Sequence, residues 1–342
     1  MIESVCHFSN WGPRVSGMYE SVKDQIKYER REGLQSNMAV NHPEEDGVKR
    51  KDGWLEPITL EEAKKADVWV LHSAIPEELK AFRKGKKMIS CLHGPTEHML
   101  LKEWSKGGAS FNLHVNLLWE YDATVCINQH EYDIMKFYDE KVGRCRYIPN
   151  SIDLERFEGV VPWTYENHPA ILSCDTPRIE KLPFHIIWAM PYLREDFGVP
   201  EARLNIFSLL LEPIAAWRNI FCRSHKWTLE KCCENIQLAN KNLMPFQAGA
   251  DVGFNNNYSS IASRVTMEMM ACGVPVVSYG GDYTKYHAKI FDVRSIAEQL
   301  ALCWKDLTAE GSTLKADTLR YAKENFDRGR WVKEYIKLYN EV

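Results

Sequence analysis

The chain has 342 residues, of which 45% are hydrophobic, and a formal net charge of -4 at pH 7. This length is sufficient for two hydrophobic cores, so we expect two globular domains. The slightly negative charge argues against a protein that binds nucleic acid through overall positive charge. The sequence contains no apolar run long enough to cross a bilayer and starts without a signal region, which predicts a cytoplasmic protein.

Short β-rich runs alternate with longer helical patterns along the chain. In the amino-terminal half, polar residues follow the runs at 66–72, 87–93 and 123–127. This pattern is typical of parallel strands joined by helices, whose carboxyl edge binds ligands in open α/β sheets. A second series of predicted strands covers residues 170–174, 204–209, 250–254 and 274–278.

Two further segments complete the predicted organisation. Residues 149–169 contain three Pro residues and one Trp between the two series of strands, and we interpret them as a hinge between two Rossmann-like domains. Residues 319–342 are predicted to form a charged amphipathic helical region that carries Trp331, Tyr335 and Tyr339.

The segment 268–281 reads E-M-M-A-C-G-V-P-V-V-S-Y-G-G. It predicts a helix that carries Glu268, a turn at Cys272 and Gly273, and a buried strand that begins at Val274. The order strand, loop, helix, turn and strand recurs where Rossmann-like domains hold nucleotides. We therefore expect a ligand that carries phosphate.

Two segments resemble one protein family. Residues 148–157, I-P-N-S-I-D-L-E-R-F, resemble the interdomain signature of retaining GT-B glycosyltransferases of family four, I-P-N-G-V-D-x-x-x-F. Residues 250–277 resemble the donor-site block of that family, and the two segments occur in the family order. The resemblance implies an α/β chain with the GT-B fold, two facing Rossmann-like domains with a cleft between them. It assigns an acceptor domain to 1–150, a nucleotide-sugar domain to 151–325, and a terminal helix at about 326–342 that packs back on the first domain.

The family resemblance gives roles to residues near the donor-site block. It implies that Glu268 accepts hydrogen bonds from ribose hydroxyls; the alternative is an early-turn acid favoured by the helix dipole. Backbone amides and the hydroxyls of Ser259 and Ser263 would hold the diphosphate, although both residue types also cap helices. Ser260 replaces the first glutamate of the family motif E-x7-E, so we expect it to contact the donor in a different way.

Residues 175–181 match the family segment G-R-x-x-x-E-K-G. Lys181 falls on the family lysine, which neutralises the β-phosphate and stabilises the departing diphosphate. Thr176 stands at the arginine position, and Arg178 lies two residues later, where it could replace that arginine. The resemblance thus predicts Lys181 and Arg178 as catalytic cations and Thr176 as a donor contact, while a solvated helix-end role remains open for Lys181.

The resemblance also covers the amino-terminal half. His93 ends a predicted strand before a glycine, where the family often has a histidine that faces the sugar, and it would orient the donor sugar or polarise a hydroxyl. A structural role is the alternative, and His72 is a nearby competitor. Gly17 stands in the family's glycine loop and would admit the ligand close to the backbone. Arg14 and Thr96 are predicted acceptor contacts because they neighbour these loops.

The predicted function is a retaining glycosyltransferase that moves a sugar from a UDP- or GDP-sugar to a hydroxyl of a saccharide or glycoconjugate. The resemblance implies attack on the face that the diphosphate leaves, with the diphosphate helping to deprotonate the acceptor. The sequence has no D-x-D motif and no spaced His/Cys cluster, so no metal is expected.

Two alternatives remain open at this point. The acceptor could be a modified base in DNA, for which eleven tryptophans and local basic clusters would be suitable. The chain could also be a non-catalytic sugar-nucleotide-binding protein, because Ser260 and Thr176 replace two functional residues of the family.

Overall fold

The computed structural model divides the chain into two compact units. The first unit comprises Met1–Asp153 and Asp327–Val342, and the second comprises Leu154–Phe326. The assignment of these units as acceptor and donor domains stays a prediction. The structure describes residues 2–11, 17–42, 55–72, 77–93, 120–139, 143–174, 183–208, 233–238, 243–257 and 262–342.

A six-stranded parallel sheet forms the centre of the first unit, in the order β2-β1-β3-β4-β5-β6. The chain first places β2 on one side of β1 and then places β3 to β6 on the other side. The point of reversal lies between β1 and β3. The strands are β1 (Ser4–Trp11), β2 (Gln35–His42), β3 (Val68–Leu71), β4 (Lys87–Leu92), β5 (Ala123–Cys126) and β6 (Cys145–Tyr147).

Helices of different lengths pack against this sheet. The long helix α1 (Gly17–Arg31) connects β1 to β2, and a short helix α2 (Leu60–Ala63) precedes β3. A 3-10 helix covers Glu77–Phe82, and α3 (Gln129–Asp139) follows β5. The four residues of β3 and of β5 are all buried, as expected for central strands of a parallel sheet with both faces covered.

The second unit contains another six-stranded parallel sheet, in the order β12-β11-β10-β7-β8-β9. Its point of reversal lies between β7 and β10. The strands are β7 (Ala170–Cys174), β8 (Arg203–Ser208), β9 (Cys233–Leu238), β10 (Val252–Asn255), β11 (Val276–Ser278) and β12 (Tyr286–His287).

Within its described residues, the second unit has a 3-10 helix at Leu154–Phe157 and five α-helices. Its core includes residues from α4, β7, β10 and α7, among them Ile186, Ile171, Phe254 and Leu300. The helices are α4 (Pro183–Glu195), α5 (Met244–Gly249), α6 (Arg264–Ala271), α7 (Val293–Thr308) and α8 (Leu314–Asn325).

Every predicted strand overlaps an observed one, with ends that differ by one or two residues. The helical region predicted at 319–342 contains the end of α8 and a separate helix, α9 (Arg328–Glu341), which coincides with the terminal helix expected at about 326–342. Asp327 separates them, because its carboxylate caps α9 by accepting a hydrogen bond from the Gly329 amide at 2.9 Å.

Helix α9 belongs to the first unit. Its residues Tyr335, Leu338 and Tyr339 are buried in a core cluster with Val5 and Val68 of the sheet. No helix within the described residues has both the length and the apolar character needed to cross a membrane.

Candidate functional site

Both sheets place polar residues at the strand ends beside their points of reversal. In open α/β sheets, ligands bind outside the carboxyl ends of the strands at such points. The predicted residues His93 and Gly17 lie in the first unit, and Ser263 and Glu268 lie in the second. The remaining predicted site residues lie outside the described residues: Lys181, Arg178, Thr176, Ser259, Ser260, Arg14 and Thr96.

Glu268 lies in the middle of α6 and has two protein partners. One carboxylate oxygen accepts a hydrogen bond from Arg264 Nε at 2.9 Å, and the other accepts from Gln247 Nε2 at 2.9 Å. The side chains of Arg264 and Glu268 are 7% and 13% exposed. The carboxylate is therefore held in one orientation, and each oxygen retains a lone pair for a further donor.

Helix α6 has well-defined ends. Ser263 caps its start: the hydroxyl oxygen accepts a hydrogen bond from the Thr266 amide at 3.2 Å. At the other end Gly273 adopts φ +76°, and the Val274 amide donates to the Met269 carbonyl at 3.1 Å. This is the Schellman arrangement, which favours glycine because of its left-handed backbone. The capping role of Ser263 is thus observed, and its diphosphate role stays a prediction.

The helix also packs closely on the sheet. A Cβ atom at Gly253 of β10 would lie 2.7 Å from the Met269 sulfur, so a larger residue there would require the Met269 side chain to shift. Gly253 thus leaves room for a side chain of the helix that carries Glu268.

The point of reversal in the second sheet carries a buried polar network. Asn256 Nδ2, just after β10, donates to the Ser173 hydroxyl of β7 at 2.6 Å. Asn255 Nδ2 donates to the Tyr283 hydroxyl at 2.8 Å. Burial raises the pKa of Tyr283, so its hydroxyl is protonated at neutral pH. The network holds neutral donors and acceptors, which suits a polar uncharged ligand group.

Sequence analysis did not identify Gln247 and Arg264, the partners of Glu268. Arg264 could have been found, because it precedes Glu268 by four residues on a predicted helix. Gln247 lies on another helix and gives no local signal. Asp251, within the donor-site block, has a structural role: its carboxylate binds His168 Nδ1 at 2.6 Å and the Ala170 amide at 2.8 Å.

In the first unit, His93 directly follows β4 and is partly buried. Its Nε2 lies 2.6 Å from Nδ1 of His72, which follows β3. Nε2 of His72 lies 2.9 Å from Nδ1 of His7 in β1, and Nε2 of His7 lies 2.8 Å from a carboxylate oxygen of Glu29 on α1. We name these four residues the histidine chain. It crosses the point of reversal between β1 and β3 and reaches β4.

Glu29 ends the histidine chain in the interior and is completely buried. One of its oxygens accepts from Gln25 Nε2 at 2.9 Å and from the Tyr339 hydroxyl at 2.6 Å. The other accepts from the Ser36 hydroxyl at 2.5 Å, in addition to its bond with His7. Burial alone would raise the pKa of Glu29, but attraction to His7 and these hydrogen bonds lower it, so the group is ionised.

The two outer histidines are uncharged. Burial, reinforced by the charge of Arg328, lowers the pKa of His93 to about 4. Burial and the neighbouring His93, His7 and Arg328 hold the pKa of His72 well below its usual range. Neutral imidazole has one donor and one acceptor nitrogen, so each of these rings has a defined orientation in the chain.

Ligand atoms of His72, Cys91 and His93 all lie within 4.8 Å of one another. Such groups can bind metals, but the 2.6 Å distance between the two imidazole nitrogens is that of a direct hydrogen bond. The Cys91 sulfur contacts the Tyr335 hydroxyl at 3.7 Å, and burial raises the pKa of this thiol to about 12. In this arrangement the two rings share a hydrogen bond and the thiol contacts Tyr335, and the expectation that no metal binds stays a prediction.

Gly17 is the first residue of α1 and is exposed. The signature segment at the end of the first unit is tied to the same helix: the Tyr28 hydroxyl donates to Asp153 at 3.0 Å, and Lys27 pairs with the same carboxylate. Asp153 of the signature thus anchors the segment to α1.

Two six-stranded parallel sheets with these strand orders define the GT-B fold, which solved structures of glycosyltransferases share. HepE of Anabaena in complex with UDP and glucose matches with a TM-score of 0.75 and 13% identity over 99% of this chain and 100% of that chain. Sucrose-phosphate synthase from Thermosynechococcus elongatus matches with a TM-score of 0.74 and 14% identity over 99% and 98%.

The pneumococcal O-GlcNAc transferase GtfA in complex with UDP and GlcNAc matches with a TM-score of 0.68 and 9% identity over 99% of both chains. No protein-family model and no curated protein matches the sequence. At these identities the similarity establishes the fold, and function is inferred from the residues.

Proposed function

We propose that the protein is a retaining glycosyltransferase that uses a nucleotide-diphosphate sugar and transfers the sugar to a hydroxyl of a saccharide or glycoconjugate. The observation that carries this proposal is a GT-B fold over the whole chain together with a partly exposed, oriented carboxylate at Glu268. Two of the similar structures, HepE and GtfA, are complexes with UDP.

The second unit would bind the nucleotide sugar. Glu268 would accept hydrogen bonds from the ribose hydroxyls, since Arg264 and Gln247 orient its two oxygens. Lys181 and Arg178 would neutralise the diphosphate, with Thr176, Ser259, Ser260 and Ser263 as further donors. Charge on the departing diphosphate increases as the glycosidic bond breaks, so these cations would stabilise the transition state more than the ground state.

The first unit would bind the acceptor and one face of the donor sugar. His93 would contact a sugar hydroxyl, and Gly17 would let the ligand approach the backbone. Arg14 and Thr96 would contact the acceptor. In the proposed reaction the acceptor oxygen bonds to the anomeric carbon on the face that the diphosphate leaves, and the diphosphate receives the acceptor proton. Positioning and fixed charges would then supply the catalysis without a metal.

A direct test uses calorimetry with UDP- and GDP-sugars, followed by measurement of nucleoside diphosphate release with a panel of saccharide acceptors. We expect one donor class to bind with micromolar affinity and to turn over with a saccharide. Failure to bind any nucleotide sugar would refute the proposal. Binding without turnover for every acceptor would favour a non-catalytic binding protein, and turnover only with modified DNA would identify the other acceptor class.

A further inference from the structure

We propose that the histidine chain transmits protonation of buried His7 to the partly buried His93 and reverses the hydrogen bond that His93 offers to a ligand. The four residues come from three strands and one helix, and three contacts of 2.6 to 2.9 Å join them without a gap. Each histidine uses Nε2 toward the interior and Nδ1 toward the outer end. The histidine chain is therefore continuous, and its three rings all have the same orientation along it.

The buried carboxylate of Glu29 determines which nitrogen donates in each hydrogen bond of the histidine chain. Glu29 already accepts hydrogen bonds from Ser36, Gln25 and Tyr339, and as an ionised group it can only accept. His7 must therefore donate from Nε2. If His7 is neutral, its Nδ1 accepts from Nε2–H of His72, and His72 Nδ1 accepts from Nε2–H of His93. In this order His93 presents an unprotonated Nδ1, which accepts a hydrogen bond.

One added proton reverses every step. A proton that binds Nδ1 of His93 releases the Nε2 proton to Nδ1 of His72, and His72 then releases its Nε2 proton to Nδ1 of His7. His7 becomes an imidazolium beside Glu29, and the other two rings stay neutral. In the new order Nδ1–H of His93 donates a hydrogen bond. Three N–H bonds form, at Nδ1 of His93, His72 and His7, and two break, at Nε2 of His93 and His72, so the histidine chain gains one proton in total.

The surroundings favour storage of the added charge at the inner end. Arg328 lies near the outer rings and opposes positive charge there, which contributes to the low pKa values of His93 and His72. Glu29 lies at the inner end and stabilises an imidazolium at 2.8 Å. Among the residues that the structure describes, the titratable and charged groups that face the histidine chain or its neighbours are Glu29, Arg328, Cys91, Tyr335, Tyr339 and Glu131.

For the enzyme, this makes His7, His72 and Glu29 positioning residues that act through His93. This consequence rests on the proposed function, whereas the proton transfer along the histidine chain does not depend on that function. In the neutral order His93 would accept a hydrogen bond from a sugar hydroxyl. In the protonated order Nδ1–H would donate, and the sugar hydroxyl would have to accept instead, so sugar affinity would change as the histidine chain takes up its proton.

The test is a pH titration of the protein labelled with ¹⁵N in its histidines, from pH 8 to pH 5, with assignment of both nitrogens of each ring. We expect the protonated nitrogen of His93 to change from Nε2 to Nδ1 together with protonation of His7. A His93 ring that keeps its Nε2 proton over this range, or that becomes an imidazolium itself, would overturn the proposal. Stoichiometric zinc in the purified protein, with metal-shifted signals of His72 and His93, would overturn it as well.

The variant His72→Phe keeps a ring and removes both nitrogens. We expect its His93 signals to lose their dependence on His7, while the matched variant His168→Phe, at a histidine–carboxylate pair in the second unit, retains the wild-type titration. A coupled transition that persists in His72→Phe would contradict the proposal. If this variant does not fold, the wild-type titration still decides the question.

The enzymatic consequence has a separate readout. We expect the KM of wild type for its donor or acceptor to change several-fold across the pH range of the His93 transition. In His72→Phe the KM should not show this change. A pH-independent KM across the transition would refute the role in ligand binding. Coupled titration in a protein without transferase activity would instead refute the proposed function and leave the histidine chain in place.

Discussion

His93 and His72 are neutral imidazoles in a region that also contains Arg328. Both rings would bind a proton near pH 6.5 in an unfolded chain, whereas the folded pKa of His93 is about 4. Between these values the unfolded state binds more protons, so the free energy of unfolding falls as the pH falls. The first unit therefore has a built-in sensitivity to mild acid.

This sensitivity can be measured with His93→Asn. From pH 7 to pH 5 the wild-type first unit should lose up to about 2 kcal/mol through His93 alone, and the variant should lack that loss. Urea unfolding at pH 7 and at pH 5 gives the change in the free energy of unfolding for each protein. If the free energy of unfolding changed equally with pH in His93→Asn and wild type, His93 would not be a buried neutral ring.

Glu268 provides a second prediction for a single residue. Glu268→Gln removes the charge but can still accept from Arg264, and Gln247 has a buried, unbonded Oε1 that can accept from the new amide. We expect the fold to persist and the donor Kd to rise about tenfold, since hydrogen bonds to a charged group are the stronger ones. Calorimetry with the donor measures this change. Glu298→Gln, at an exposed position of α7, should bind as wild type does; unchanged binding by Glu268→Gln would argue against the ribose role.

Helix α9 shows why an element distant in sequence completes the first core. Its residues Leu338 and Tyr339 are 2% and 0% exposed, and Tyr339 donates to Glu29 on α1. The amphipathic pattern of this helix is visible in the sequence. Its partner surface is not, because the strands that it covers lie far away in the sequence, and the first of them begins more than three hundred residues earlier.

The contribution of α9 can be tested with two adjacent residues. Leu338→Ala should lower the free energy of unfolding of the first unit by about 2 to 5 kcal/mol, because the cavity in a packed core is not refilled. Lys337→Ala should change it by less than about 0.5 kcal/mol, since this side chain is 69% exposed and its ion pair with Glu341 spans 3.9 Å. Thermal or urea unfolding compares them. Similar values for the two variants would show that α9 does not belong to the core.

At the scale of the whole molecule, the chain leaves the first unit after Asp153 and re-enters it at Asp327. Ile152 and Asp327 form a parallel β-bridge, and the Arg328 amide donates to the Ile152 carbonyl at 3.0 Å. The exit and entry points are therefore adjacent. The second unit is a continuous segment with its own hydrophobic core, which is the usual requirement for independent folding.

This arrangement predicts how three shortened polypeptides unfold. We expect residues 154–326 to unfold cooperatively in urea on their own. Residues 1–153 should lack a cooperative transition because α9 is missing from their core. A polypeptide in which a short Gly-Ser linker joins residue 153 to residue 327 should show a cooperative transition, because it contains α9. A cooperative transition for 1–153 alone would contradict the division into these units.

The sequence predicted the features that depend on local patterns. Buried runs such as 170–174 gave the strands, and the spacing of Glu268, Cys272 and Gly273 gave the helix and turn of α6. The charged helical pattern did not itself show the break at Asp327, and only the family resemblance implied a terminal helix that starts at about 326. The predicted runs did not include β1, β2, β6, β9 or β12, and the two residues of β12 are too few to show an alternating pattern.

By itself, the sequence determined the strands that form clear apolar runs and the helix of Glu268, and it placed His93 at the end of a strand. Only the tertiary structure decided which side chains meet. His7, His72 and His93 are far apart in the chain, and their contacts arise because β1, β3 and β4 are neighbours in the first sheet. Strand order is set by packing between distant segments, so no local pattern records it. The same reason explains why Gln247 was found beside Glu268, and Tyr339 beside Glu29, only in the folded chain.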